Sequence, residues 1–389
     1  MKSPRIAILV DTATGWGRRI VSGALDYGLQ HGPWDVWIEA KGQSEEFSLP
    51  QDIDVDGVIA RVSSAEMAIE LKSRKIPVVN ISGLMVKEAD FPRVIVDWEM
   101  AARLAEAHFS DRGLQNVAYL GPLHLAHVQH HERAFEKALL KSGRTCHVFQ
   151  PDTSADSNTS WHPAPEQLIP WLKSLPKPVG IFTWGFQVGR DIISACRKAD
   201  IPVPHDVAVL GGDYDELLCD ACHPALSGIL TPAKKVGYKA ASILYSMMKG
   251  GTPPKETIIL PPEDIEERLS TETLAIDDPQ TLQALTYLRA HACDGIHVND
   301  ILQEVPMARR ALERRFAKLL GRSPAQEMRR IQINQARKLL TRTDLPMQEI
   351  AEACGYTSYT YLGNIFKKET GISPGRYRKQ TRNISADLP

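Results

Sequence analysis

One short pattern is written twice near the end of the chain. Phe316-Ala317-Lys318 is followed by Gly321 and then Ser323-Pro324; fifty residues on, Phe366-Lys367-Lys368 is followed by Gly371 and then Ser373-Pro374. Upstream of each block stand Leu312 or Leu362, a turn, and an apolar helical pattern at Ile301-Leu302 or Ile350-Ala351. A period repeated only twice is too little for a solenoid, so it marks duplicated supersecondary structure. Two short helices joined by a tight turn form the helix-turn-helix layout.

Helical spacing sends Leu312, Phe316 and Leu319 to the core of the first copy, and Leu362, Ile365 and Phe366 to that of the second. The opposite face then shows Arg309, Arg310, Glu313 and Arg314 in the first copy. In the second, Ser358 stands at the N-cap, followed by Tyr359, Thr360, Tyr361, Asn364, Lys367 and Lys368. Arg pairs with guanine and Asn with adenine in the major groove, whereas Lys mostly holds phosphate. A charge run is more often a plain solvated face. The recurrence of Phe, Gly and Ser-Pro at one offset favours double-stranded DNA. Pro324 opens a long helix with Met328, Ile331, Gln335, Ala336, Leu339 and Leu340 at helical spacing, and Ser323 suits its cap. That helix is expected to hold both recognition helices on one side, for successive major grooves about one helical turn apart. The copies are unequal: Pro306 stands where Gly355 stands in the second, and Ala308 replaces the capping serine, a loss of about 1 kcal/mol.

The charge balance agrees. Residues 278–389 carry 18 Lys and Arg against 11 Asp and Glu, while residues 1–277 carry 28 against 36. A basic module on an acidic body, hidden by a net charge of −1, is the pattern of a nucleic-acid reader attached to something else. With 389 residues, 43% hydrophobic, the chain has room for more than one domain. No apolar window is long enough to cross a membrane, and the first apolar run, Ile6 to Val10, is too short for a signal peptide. Six cysteines give no disulfide framework, so a cytoplasmic location is expected.

Ahead of the repeat, short β-branched runs alternate with helical patterns: strands at 5–11, 34–40, 55–62, 76–82, 94–97, 117–121, near Val148, 179–184, 207–211 and 257–260. Such alternation predicts a parallel sheet with right-handed crossovers, and about 270 residues of it predicts two α/β lobes rather than one. In the first helix, Ile20, Val21, Ala24, Leu25 and Leu29 are expected on one buried face. Ligands of such folds lie beyond the carboxyl ends of the strands. The loops there hold the carboxylates Asp11, Asp213 and Asp215, the arginines Arg18, Arg19 and Arg133, and the indoles Trp16 and Trp184. Carboxylates and arginines grip sugar hydroxyls, and a tryptophan face covers the apolar side of a sugar ring. Any α/β protein has polar strand-end loops, so composition by itself leaves the ligand unnamed. The segment from Asp152 to His162 is an irregular polar stretch.

Three other motifs do not survive. Cys219-Asp220-Ala221-Cys222-His223 fits covalent haem attachment, which requires export, and reads as a chance match in a strand-to-helix loop. His124, His127, His130 and His131 lack a carboxylate or thiolate pattern to complete a metal site and are expected to line the cleft or face solvent. Gly15-Trp16-Gly17 has Ile20 at the third glycine position of a dinucleotide loop. No cofactor, metal or catalytic residue is assigned.

The motifs carry a resemblance. Ile350-Ala351, Cys354-Gly355-Tyr356, Ser358, Tyr361-Leu362, Phe366-Lys367-Lys368, Gly371 and Ser373-Pro374 resemble the AraC/XylS-type DNA-binding domain. Val96-Asp97, Arg112-Gly113, Glu132-Arg133-Ala134-Phe135, Ile201-Pro202-Val203-Pro204 and Gly211-Gly212-Asp213 are similar to the LacI/GalR-type, periplasmic-binding-protein-like sensor. The pairing resembles the family of xylose-operon activators. The expected architecture is therefore a two-lobed periplasmic-binding-protein-like α/β sensor (1–270), a linker (271–279), an all-α domain with two helix-turn-helix motifs (280–380) and a tail (381–389). The resemblance implies a cytoplasmic homodimer that binds D-xylose, sits on tandem or inverted operator half-sites, and engages RNA polymerase as an activator of pentose catabolic genes. It assigns ligand contact to Arg133 and Asp213, and by position to Asp11, Trp16 and Arg18. The chain departs in having Gly185-Phe186 where the sensor family often has Asn-Asp. A repressor answering another sugar, a sugar-acting enzyme with a DNA-binding appendage, and a ligand-independent DNA binder are the competing readings.

Overall fold

The computed structural model describes residues 3–42, 47–150, 163–273 and 278–383. The stretch 152–162, linker residues 274–277 and tail residues 384–389 lie outside them. The chain divides into two compact units, residues 1–110 with 114–273, and residues 274–389 with 111–113.

The first unit begins with β1 (Arg5–Leu9), α1 (Gly15–His31), β2 (Asp35–Ile38), β3 (Gly57–Ala60), α2 (Ala65–Ser73), β4 (Val78–Asn80) and β5 (Val94–Val96). It continues with α3 (Trp98–Asp111), β6 (Asn116–Leu120), α4 (Ala126–Leu140), β7 (Cys146–Val148), α5 (Pro165–Ser174), β8 (Val179–Thr183), α6 (Phe186–Lys198), β9 (Val207–Gly211), α7 (Glu216–Asp220) and β10 (Ser227–Leu230). Then come α8 (Ala233–Met248), β11 (Ile258–Leu260) and β12 (Asp264–Glu266). One sheet has the order β2-β1-β3-β4, a second β12-β10-β9-β8-β6-β7, and β11 pairs with β5. These are two lobes, and the chain crosses between them three times: before α3, before α8 and before β12.

Periodicity explains the strands. Along β1 and just beyond, Ile6, Ile8 and Val10 enter one core while Ala7 and Leu9 enter another on the opposite face. A parallel strand is covered on both sides by helices, so the sequence reads as an unbroken apolar run. β8 (VGIFT) and β9 (VAVLG) are buried at every position in the same way. The pairings are parallel except β10 with β12, which is antiparallel. That strand enters as a short edge piece from the other lobe, without a crossover helix to turn it round, and corrects the all-parallel expectation.

The buried face of α1 is also different from the expected one. Leu25 is 39% and Leu29 83% exposed, while Ile20, Gly23, Ala24, Tyr27 and Gly28 are buried. The reason is backbone contact with α8. A Cβ on Gly23 would lie 1.9 Å from the Lys234 carbonyl oxygen, and one on Gly237 would lie 2.0 Å from that of Ile20. Small residues set this helix pair, and leucine counting misses it. Cys219 lies on α7 rather than in a loop, and burial pushes its thiol up to about 12, so it has no thiolate reactivity at neutral pH.

The second unit holds α9 (Pro279–His291), α10 (Val298–Glu304), α11 (Arg309–Leu320), α12 (Pro324–Arg342), α13 (Met347–Ala353), α14 (Tyr359–Thr370) and α15 (Pro374–Asn383). Each repeat has its own core. Leu285, Leu288, Ile301, Leu312, Phe316 and Met328 form the first, and Ile333, Ala336, Leu340, Ile350, Leu362 and Phe366 the second. Successive turns of α12 thus supply both. Gly321 and Gly371 end α11 and α14 in the left-handed region at φ 69° and 82°. Each then leads to a serine and a proline that start the next helix, which is why the repeat is spelled Gly-x-Ser-Pro.

Fully buried Glu327 anchors the start of α12. Arg322 Nε donates to it at 2.6 Å, and Arg330 donates twice at 2.9 Å. Burial raises its pKa, but these bonds and the charges of Arg330, Arg322 and Arg289 outweigh it and leave the carboxyl below its ordinary value. A depressed carboxylate contributes stability that is complete above its unfolded-state value and is lost as pH falls through the folded one. Glu327→Ala should cost about 2–3 kcal/mol by removing the fully buried acceptor shared by half-buried Arg322 and Arg330. Urea unfolding of the variant, and of the wild type on acidification below about pH 4, measures both effects.

Candidate functional site

The carboxyl ends of β1, β3, β6, β8 and β9 and the start of α3 come together around one cleft. From the first lobe, Asp11 is 2% exposed; its Oδ2 lies 3.5 Å from Arg61 Nη1, and its Oδ1 has no protein partner. The Arg61 guanidinium lies 5.9 Å over the Trp16 ring. From the second lobe, Trp98 and Trp184 stand with ring centroids 5.5 Å apart, tilted by 49°. His131 meets both edge-on, at 5.3 Å and 5.1 Å, and His127 lies 4.9 Å from Trp184. Trp16, Trp98 and Trp184 are all half-buried, as cleft walls must be.

Asp213 lies deep yet partly accessible, and its Oδ1 accepts from the Phe186 N–H at 2.7 Å. Desolvation pushes its carboxyl up to about 6 against that bond and the Arg19 charge, while the charges of Asp215 and Asp11 push it further up. Desolvation also drives His127 down to about 4 and His131 down to about 3, aided by neighbouring positive charge. Both imidazoles are therefore neutral at physiological pH. The cleft offers aromatic faces, neutral imidazoles and carboxylate oxygens, a set suited to hydroxyl-bearing neutral molecules.

Asp215 closes one side. Its Oδ1 caps α7 by accepting from Leu218 N at 3.3 Å, and its Oδ2 accepts from Gly15 N and, at 3.3 Å, from Arg18 Nη2. Arg19 Nη2 donates to the Tyr214 carbonyl at 2.8 Å. These bonds join the loop after β1 in one lobe to the loop after β9 in the other. The expected site residues divide accordingly. Asp11, Trp16, Trp184 and Asp213 meet at the cleft. Arg18 is exposed and braces its own loop through the Thr12 and Ala13 carbonyls. Arg133 is exposed on α4, where its charge acts on Glu132, and the position of that helix turned inward is His131. Sequence reading named Asp215 among the strand-end carboxylates without giving it a contact, and passed over Arg61 and Trp98; their place just after β3 and β5 was the available signal.

Of the four histidines, His124 and His130 are exposed, His127 half-buried and His131 fully buried. Among the described residues no three His, Cys, Asp or Glu side chains gather to hold a metal.

In the second unit, α11 buries Leu312, Phe316 and Leu320 and exposes Arg309, Arg310, Glu313 and Arg314. Arg309 Nε donates to Glu313 at 3.1 Å, so the acid orients an arginine on its own helix. On α14, Thr360, Tyr361, Asn364, Lys367 and Lys368 are exposed, Tyr361 by 57%. Ser358 caps that helix, its Oγ accepting from the Tyr361 N–H, and half-buried Tyr359 packs on the second core. Ala308, at the same point of α11, makes no side-chain cap. Two exposed polar faces on short helices, fixed to one long helix by separate cores, have the layout of a paired helix-turn-helix reader. Asp215→Ala should destabilise the first unit by about 2–3 kcal/mol, through a lost helix cap and unpaired buried donors, read as the urea midpoint of that unit's transition.

Comparison with known proteins places these parts. Residues 5–98 match a XylR N-terminal domain family, 107–271 a periplasmic binding protein-like domain family, and 301–380 a helix-turn-helix domain family. The xylose operon regulatory protein of Escherichia coli (strain K12) is 30% identical over 384 residues, 97% of this chain and 97% of that protein. Its namesake in Haemophilus influenzae (strain ATCC 51907 / DSM 11121 / KW20 / Rd) is 29% identical over 386 residues, 96% of this chain and 98% of that one. A solved structure of the xylose-binding transcription activator xylR matches with a TM-score of 0.62 at 29% identity, covering 98% of this chain and 99% of the other. Matched from the first sensor strand through the second helix-turn-helix, the chain belongs to the family of the xylose operon regulatory proteins and is a sugar-responsive, DNA-binding transcriptional regulator.

Proposed function

We propose that the chain senses D-xylose and activates pentose catabolic genes, working in the cytoplasm as a homodimer on tandem or inverted operator half-sites and engaging RNA polymerase. The observation that carries the reading is the cleft itself, where one wall carries Trp98 and Trp184 and the other a buried Asp11 oxygen with no protein partner. The full-length relatives are named for xylose.

In this reading a pentose lies against the tryptophans, with its hydroxyls on Asp11 and Asp213. Sugar then favours one sensor conformation over another, and the difference in affinity is what reaches the DNA-binding unit. The chain returns its ligand unchanged. Calorimetry against D-xylose, other pentoses and hexoses tests the ligand: D-xylose should bind most tightly, and no heat with any sugar contradicts the reading.

Asp213 gives that binding a pH dependence. Its carboxyl is raised to about 6, so below that value it is protonated and above it is an acceptor-only carboxylate. D-xylose affinity should rise as pH passes upward through about 6 and level off above it, and Asp213→Asn should remove this step.

Two residues of the α14 face separate by chemistry. Asn364→Ala should cost about 1–3 kcal/mol on the specific operator and relax preference at one base pair. Lys367→Ala should weaken binding to all sequences alike and lower the salt slope by about one. Binding measured over a salt series on operator and scrambled DNA distinguishes them.

A further inference from the structure

The imidazole of His131 lies wholly inside the second lobe, edge-on to Trp98 and Trp184 and 4.8 Å from the Phe182 ring. One nitrogen is accounted for: Nδ1 is 2.9 Å from the Tyr119 hydroxyl. The other, Nε2, is buried with no protein partner. For packing alone a phenylalanine would fill this place without the penalty of a desolvated nitrogen. The unfilled valence calls for a ligand.

Its chemistry follows from Tyr119. Burial holds the phenol firmly protonated, so its hydrogen needs an acceptor, and Nδ1 is the acceptor it meets. A neutral imidazole that accepts at Nδ1 carries its own hydrogen on Nε2. His131 therefore presents a donor fixed in direction by three aromatic rings. A line of contacts runs from it to the first lobe. Trp184 touches both His131 and His127, the Arg61 charge acts on His127, and Arg61 sits beside Asp11. At that far end the Asp11 Oδ1 is a buried acceptor without a partner. One wall thus lacks an acceptor and the other lacks a donor. Hydroxyl groups are both, while a phosphate or carboxylate would meet Asp11 and Asp213 as like charges.

We propose that His131, its tautomer set by Tyr119, donates through Nε2–H to an oxygen of a bound neutral sugar and is the specificity-determining residue of the cleft. This rests on the sugar-sensing reading above. Arg133, two residues on and exposed, has no part in it.

The test uses the full chain. D-Xylose and its single-deoxy analogues are titrated into the wild type, His131→Phe and Tyr119→Phe. His131→Phe should lose roughly tenfold in D-xylose affinity while binding one deoxy analogue as the wild type does, because the missing oxygen is the one His131 contacts. Tyr119→Phe should show a smaller loss of the same pattern. In the wild type, side-chain nitrogen NMR should show the Nε2–H tautomer at His131 and a shift of that resonance when D-xylose is added. Equal affinities of wild type and His131→Phe across the series overturn the proposal. So does an unmoved His131 resonance at saturating sugar, which decides the matter if the variant fails to fold. If the wild type itself binds no sugar, the sugar-sensing reading falls, and this inference with it.

Discussion

A single carboxylate joins the two lobes of the sensor. Asp215 spends one oxygen on the start of α7 and the other on the Gly15 amide and Arg18, which belong to the opposite lobe. The loop after β1 is thereby fixed against the loop after β9, and the walls of the cleft are set by that join. Asp11 and Trp16 lie within or next to the first loop, and Asp213 lies two residues before the carboxylate in the second. A buried acid with three donors is a strong constraint because removing it leaves the Gly15 and Leu218 amides without that acceptor. The aromatic wall of Trp98, His131 and Trp184 is rigid for a different reason, edge-to-face packing around an imidazole that does not ionise at neutral pH.

The regulatory half depends on division of labour along α12. Met328 and Ile331 face the first repeat's core, and Ile333, Ala336 and Leu340 face the second. Two small cores on one helix fix two recognition helices without requiring the repeats to touch. Their chemistry is unequal. α14 is capped by Ser358 and shows Tyr361, Asn364 and two lysines, whereas α11 begins uncapped at Ala308 and shows a dense arginine face steadied by Glu313. The first helix is suited to guanine and phosphate, and the second to a more mixed contact.

Much of this was legible in the residues. β1, β8 and β9 are buried on both faces, so their apolar runs were unambiguous, and Phe316 and Phe366 fixed the phase of the recognition helices and with it their exposed residues. What escaped reading depends on contacts distant in sequence. The burial of α1 is decided by glycines meeting the α8 backbone, so Leu25 and Leu29 misled. β12 is three residues long and antiparallel, too short for periodicity to show. His131 and Arg133 differ by two positions, a half-turn of helix, and family resemblance pointed to the one that faces solvent. Only the meeting of α4 with Tyr119, Trp98 and Trp184 distinguishes them.

The central claim is that sugar in the sensor and DNA at the paired helices are thermodynamically linked. The direct measurement is the dissociation constant of the full chain for operator DNA at fixed salt, with and without saturating D-xylose. The account predicts a change of roughly 5- to 150-fold, with operator DNA shifting the D-xylose affinity by the same factor. Identical DNA affinity with and without bound sugar would contradict it.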